Sequence, residues 1–261
     1  MSRLAELFDS TKAQRRAALV AYLPAGYPTV DGSKELIAAT VDAGADLVEV
    51  GVPYSDPVMD GPTIQGAADA ALRNGFKLRH LFEVVESVAS RGGRAVVMTY
   101  YNPVHRYGVD AFARDLASAG GLGLITPDLT PDEASEWIAA STEHGLDRIF
   151  LVAPSSSDDR IALTAKATTG FVYATAVMGV TGARDTVGSA ASELVRRTRQ
   201  HTDLPVGVGL GVRSGDQAAE VASFADAVIV GSALVSKAAE GTGPLAELTS
   251  ELAEGVRRPA R

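Results

Sequence analysis

The chain contains no cysteine, which excludes disulfides, thiolate metal sites and a cysteine nucleophile. Positive charge is the minority sign. Lys plus Arg number 24 against 32 Asp plus Glu, a net charge of -8, which argues against a nucleic-acid or anionic-membrane partner. No apolar run approaches the length of a membrane span. The opening residues MSRLAELFDS are charged and lack the apolar core of a signal peptide, so a soluble cytoplasmic protein is the expectation. No linker or low-complexity segment interrupts the 261 residues, of which 46% are hydrophobic. One large domain over residues 1–261 with a substantial core follows, with a frayed tail from about residue 256.

What is present is alternation. After a first helix over Arg3 to Phe8, short apolar strands are predicted at Ala18–Leu23, Leu47–Val52, Ala95–Tyr100 and Leu122–Thr126. Four more follow at Arg148–Val152, Phe171–Ala174, Val206–Gly209 and Ala227–Val230. Helical patterns lie between them at Ser33–Ala43, Ile64–Asn74, Leu81–Arg91, Ala111–Ala119 and Asp132–His144. They continue at Asp159–Ala167, Ser189–Gln200, Gly215–Ala222 and Ser232–Ala239. Strands of four to six residues alternating with helices imply parallel βα units. Eight such units in a chain of this length fit an α/β fold of the (β/α)8 barrel type, with an extra N-terminal helix, better than an open doubly wound sheet.

The stretch DLVEVGVPYSDPVMDGPTIQG, from Asp46 to Gly66, is the most informative. Side chains alternate along a strand, so Glu49 shares a face with Leu47 and Gly51. A carboxylate inside such an apolar run must be paired, neutralised or used. The strand opens into a Pro- and Gly-rich loop with Asp56 and Asp60, and Pro62 suits the first turn of a following helix. One carboxylate on a rigid strand and one on the next loop make a candidate acid/base pair. Each has a plainer role available: Glu49 as an ion-pair partner in a barrel lumen, Asp56 and Asp60 as turn residues before Pro57 and Gly61.

In a barrel, function belongs to the loops that follow strands. That rule selects Glu49, Asp56 and Asp60, then Asn102 and His105, Asp128, Tyr173, the long segment Thr175–Gly188, Gly209, Gly211 and Arg213, and Gly231 with Ser232. The remaining histidines, His80, His144 and His201, read as surface residues. The run VGVGLGVRSG misses a dinucleotide fingerprint because Ser214 stands where the third glycine is needed. Glycines after two adjacent strands, with Ser232 opening a helix, fit a phosphate cradle instead, although they also fit tight corners. Tyr22 and Tyr173, at strand ends, could line a pocket or simply pack. The segment after the sixth strand, with its glycines and Thr181, suits either a connector or a closing lid.

Taken together, EVGVPYSDPVMDGPTIQGA, YYNPVHRYG, MGVTGAR and the late glycine pairs resemble the tryptophan synthase alpha subunit family over essentially the whole chain. The resemblance implies a (β/α)8 barrel lyase that cleaves indole-3-glycerol phosphate to indole and D-glyceraldehyde 3-phosphate, with no cofactor of its own and no metal. It places the catalytic glutamate on Glu49, the catalytic aspartate on Asp60, the lid threonine on Thr181 and the pocket tyrosine on Tyr173, with Tyr22 a further substrate-binding candidate. Phosphate contacts fall on Gly182, Gly211, Gly231 and Ser232. Asp56 and Asp128 lie at positions similar to those facing the family's partner, a pyridoxal-phosphate beta subunit in an alpha2-beta2 heterotetramer. Tyr27, Ala176, Val177 and Arg213 depart from the family's common residues; none of them is one of the two carboxylates.

Rival readings remain in other classes. A Schiff-base aldolase needs a lysine at a strand end, yet Lys12, Lys34, Lys77, Lys166 and Lys237 lie in helical patterns or their approaches. A metal aldolase needs clustered histidines, and only His105 falls on the active face. A stand-alone indole-releasing lyase, or a phosphate-binding subunit that only activates a partner, would keep much of the same surface.

Overall fold

The computed structural model describes residues 2–175 and 184–258. Its elements alternate as the sequence pattern requires: α1 (Arg3–Ala13), β1 (Ala18–Pro24), α2 (Val30–Asp42), β2 (Leu47–Gly51), α3 (Pro62–Arg73), α4 (Arg79–Ala89) and β3 (Ala95–Met98). The chain continues through α5 (Tyr101–Tyr107), α6 (Val109–Ser118), β4 (Gly123–Ile125), a 3-10 turn at Pro131–Glu133, α7 (Ser135–Glu143), β5 (Asp147–Ile149) and β6 (Leu151–Val152). It ends with α8 (Asp158–Ala167), β7 (Val172–Thr175), α9 (Arg184–Thr198), β8 (Val206–Gly209), α10 (Gly215–Ala222), β9 (Ala227–Val230), α11 (Ser232–Ala238) and α12 (Thr242–Arg257).

All strand pairs are parallel, in the order β5-β4-β3-β2-β1-β9-β8-β7-β6. β5 and β6 are two pieces of one predicted strand, separated by Phe150. β5 pairs with β4 and β6 pairs with β7, while the Phe150 carbonyl accepts from the Tyr173 N–H at 3.1 Å. Nine strand segments therefore form a nearly closed (β/α)8 barrel, and the expectation from alternation holds. Strands covered on both sides read as continuous apolar runs rather than alternating ones: every residue of β1, β2 and β9 is buried.

One end of the lumen is filled. In α1, capped by the Ser2 side chain, the spacing of Leu4, Leu7 and Phe8 puts all three on one face. They pack with Ala18, Val20, Leu47, Val96, Phe171 and Ala227, where the strands begin. The rings of Phe8 and Phe171 lie 5.6 Å apart. The lumen is therefore filled where the strands begin, and a site on this barrel belongs at the opposite mouth, where the strands finish.

Two helices lie outside the sequence expectation. α5 forms where a loop was expected after β3, although Pro103 sits inside it; proline is tolerated in a first turn, whose N–H groups have no intrahelical acceptor. The cap comes from across the fold, because both carboxylate oxygens of Asp128 accept from the Tyr101 N–H, at 2.9 and 3.1 Å. α12 carries Leu245, Thr249, Leu252, Ala253 and Val256 on a buried face, a helical period present in the sequence and passed over. It runs to Arg257 with Val256 fully buried. The helix therefore continues through Arg257 over an apolar side chain held in the core, while residues 259–261 of the tail expected to fray lie outside the described residues.

Candidate active site

The inward positions of neighbouring strands build the pocket floor. Tyr22 on β1 is in register with Glu49 on β2, and Glu49 with Val96 on β3. Glycines open the space for the large rings. A Cβ on Gly51 would meet the Tyr22 hydroxyl at 2.3 Å, and one on Gly209 would meet the Tyr173 hydroxyl at 2.8 Å. The strand glycines thus exchange side-chain volume for two phenols beside Glu49.

Glu49 is 1% exposed, and its Oε2 has no hydrogen-bond partner. No salt bridge to it appears among the described residues, so an ion-pair role for this carboxyl finds no support. Burial penalises the charged form and pushes the Glu49 carboxyl up to about 8. Burial likewise raises the hydroxyls of Tyr22 and Tyr173 well above the ordinary tyrosine value, and the nearby Glu49 carboxylate adds to both. A neutral acid faced by two neutral phenols can hold a proton at pH 7 and still give it up to a substrate.

Asp60 stands over this floor on the loop between β2 and α3. It is partly buried, and burial raises its carboxyl, opposed by the hydroxyl of Tyr100. Tyr100, in the turn between β3 and α5, was not singled out from the sequence. Its hydroxyl accepts from the N–H groups of Val58 and Met59 at 3.1 and 2.9 Å. Its ring centroid lies 5.2 Å from that of Tyr54, whose hydroxyl accepts from the Asn102 side chain at 3.0 Å. Only its place at a strand's end marked it in the sequence, since hydrogen bonds to residues some 40 positions away leave no local signal.

The other expected residues divide. Gly231 and Ser232 sit where β9 turns into α11, and Gly211 lies just after β8; Gly209 pairs with Ile229, so the two turns are neighbours. Among the described residues, no atom would lie within 4 Å of a Cβ on Gly211, and for Gly231 the nearest is 3.6 Å away, so these residues leave the backbone open on that side. Asp56 is exposed and accepts from the Ser55 hydroxyl. Asp128 is exposed too, but it also caps α5. Thr181 and Gly182, with Ala176 and Val177, lie outside the described residues. Lys12, Lys34, Lys166 and Lys237 are in helices and Lys77 is in a connector, so no lysine stands at a strand end to form a Schiff base. His144 pairs with Asp110 at 2.9 Å, and His80 accepts from the Lys77 N–H at 3.1 Å.

This geometry has close relatives. A family model described as tryptophan synthase alpha chain matches residues 8–258. A tryptophan synthase alpha chain of Mycobacterium marinum is 64% identical over 257 residues, covering 98% of this chain and 96% of the relative. One from Nocardia farcinica is 62% identical, with 98% and 96% covered. Among solved structures, tryptophan synthase of Mycobacterium tuberculosis superposes with a TM-score of 0.94 at 63% identity, over 98% of this chain and 99% of that one. The alpha subunit of Legionella pneumophila, at 31% identity, still gives 0.88 over 98% of both chains.

Proposed function

The chain belongs to the tryptophan synthase alpha chain family, whose reaction is cleavage of indole-3-glycerol phosphate to indole and D-glyceraldehyde 3-phosphate, and we propose that Glu49 and Asp60 carry it out. One observation supports this assignment above the rest: Glu49 is a buried carboxyl with an unpartnered Oε2 and no salt bridge among the described residues, and burial raises its pKa to about 8.

Breaking the bond between indole C3 and the glycerol carbon is a retro-aldol step. Protonated Glu49 delivers its proton to C3, and the ring becomes an indolenine-like cation. Asp60 accepts a hydrogen bond from the ring N–H and stabilises that charge. The Glu49 carboxylate then removes the proton of the adjacent glycerol hydroxyl. As the carbonyl forms, the C–C bond breaks and its electrons return to the ring, releasing indole and the aldehyde with Glu49 protonated again. Such acid–base roles are each worth about 10²–10⁴-fold. A pKa close to the working pH suits a group that must both give and take a proton.

Tyr22 and Tyr173 form the walls for the indole ring, and the substrate phosphate lies at Gly211, Gly231 and Ser232, with Gly182 joining them. Thr181 is the lid residue. The partner is a pyridoxal-phosphate beta subunit, in an alpha2-beta2 assembly. Supporting that docking face, Val58 and Met59 are 80% and 55% exposed in the loop that carries Asp56 and Asp60. Apolar side chains so exposed next to a catalytic loop favour a covering surface. The whole chain forms one domain, and it works in the cytoplasm; no described helix is long and apolar enough to cross a membrane.

The test supplies purified protein with indole-3-glycerol phosphate and measures indole, alone and with a beta subunit. Indole release that Glu49→Gln abolishes supports the assignment; release that persists within about tenfold in that variant removes Glu49 from the proton path.

A further inference from the structure

We infer that Tyr100 is a positioning residue for Asp60: its hydroxyl ties down the two backbone amides that precede Asp60, and so sets where the carboxylate meets the indole N–H. The inference rests on the proposed role of Asp60.

The loop from Val52 to Gly61 has few anchors of its own. Val58 and Met59 are largely exposed, so side-chain packing does not hold the loop at these residues. Their amides instead converge on one oxygen, the Tyr100 hydroxyl, at 3.1 and 2.9 Å. A phenol oxygen can accept two hydrogen bonds and donate one. With both acceptor positions taken, the hydroxyl proton is free to point at an acceptor, and the Asp60 carboxylate beside it is favoured in its ionised form by this hydroxyl. On the far side of Asp60, its carbonyl accepts from the Gln65 side chain at 2.6 Å, at the start of α3. Asp60 is thus held from both directions, by β3 through Tyr100 and by its own helix.

Tyr100 is itself rigid. It is 6% exposed and its ring packs at a tilt of 33° against that of Tyr54. The next residue donates its N–H to Asp128 from the loop after β4. Three successive loops at the barrel mouth are therefore tied together at the end of β3. Holding a reacting group to well under an ångström matters, because a displacement of about 1 Å can cost about 10²-fold.

Among the described residues, the titratable groups facing Asp60 are Tyr22 from β1 and Tyr100 from the turn after β3; Glu49 on β2 bears on Tyr22, and Asp128 after β4 bears on Tyr100. Neither tyrosine ionises in the neutral range, since burial raises both. Removing the Tyr100 hydroxyl leaves burial of Asp60 unopposed, so its carboxyl rises further and its ionised form is lost at a higher pH.

The experiment measures kcat and KM for indole release from pH 5 to 9 in wild type, Tyr100→Phe, Asp60→Asn and the double variant. Tyr107→Phe, which removes a distant hydroxyl bonded to Asp115, serves as control. For Tyr100→Phe the expected result is a kcat lowered about tenfold or more with KM within about threefold, and an acid limb moved to higher pH. On the Asp60→Asn background the same change costs threefold or less, because the residue it positions is gone. An equal loss on both backgrounds, an unmoved acid limb, or a loss confined to KM overturns the inference. If Asp60→Asn is crippled and Tyr100→Phe equals wild type, this inference fails while the role of Asp60 stands. If Asp60→Asn stays within about tenfold of wild type, the role of Asp60 fails and the inference with it.

Discussion

Replacing Glu49 by glutamine should destroy activity and, at alkaline pH, strengthen the fold. In the folded chain the carboxyl is raised by burial from 4.5 to about 8. A raised carboxyl binds its proton more tightly in the folded state than in the unfolded state. Its contribution is therefore fully present below pH 4.5 and is lost as pH rises from there towards 8, at about 1.4 kcal/mol per unit. Between pH 5.5 and 8.5 the wild type should lose about 3 kcal/mol that the glutamine variant, with nothing to titrate, keeps. All other groups titrate in both proteins and cancel in the difference. Urea unfolding of both proteins at the two pH values measures it. Glutamine's own hydrogen-bonding needs in a site with an unpartnered oxygen shift the difference by a constant, so the pH dependence is the decisive quantity. A stability difference that is flat from pH 5.5 to 8.5 would refute a buried carboxyl with a raised pKa, and with it the reservoir of protons assigned to Glu49.

The same pKa has a kinetic counterpart: in wild type, kcat/KM should fall above about pH 8 as the proton bound for C3 is lost, and a profile still rising at pH 9 would contradict it. Gly209→Ala should push Tyr173 off its position, since the new Cβ would lie 2.8 Å from the hydroxyl; we expect at least a tenfold loss in kcat/KM by indole assay, with Tyr173→Phe in the same background recovering part of it. Inorganic phosphate should compete with substrate, and Gly231→Asp, whose Cβ would meet no described atom closer than 3.6 Å, should raise KM about tenfold or more by placing a carboxylate at the proposed anion site. It is a cleaner probe than a change at Gly211, whose φ of 73° strains any side chain. Asp128→Ala should cost about 0.5–2 kcal/mol in urea unfolding through the lost cap on α5; an unchanged stability would make the cap incidental.

The strand stretches around Val48 and Val228 were legible in the sequence because parallel strands covered on both faces need only apolar residues, and no distant partner has to be known to recognise them. Glu49 was legible for the opposite reason: a charge in such a run violates the local pattern, and function is where such violations are found. The family pattern carried the fold and the reaction further than periodicity alone. What the tertiary structure decided were matters of contact between distant residues. The α5 helix needs a cap 27 positions away, from Asp128 to Tyr101. The plug of Leu4, Leu7 and Phe8 shows which mouth is closed only once all the strands surround it. The grip of Tyr100 on Val58 and Met59 joins residues 41 and 42 positions apart. Even the raised pKa of Glu49 belongs to the structure, since desolvation comes from the whole enclosing barrel and not from the residues beside it in the chain.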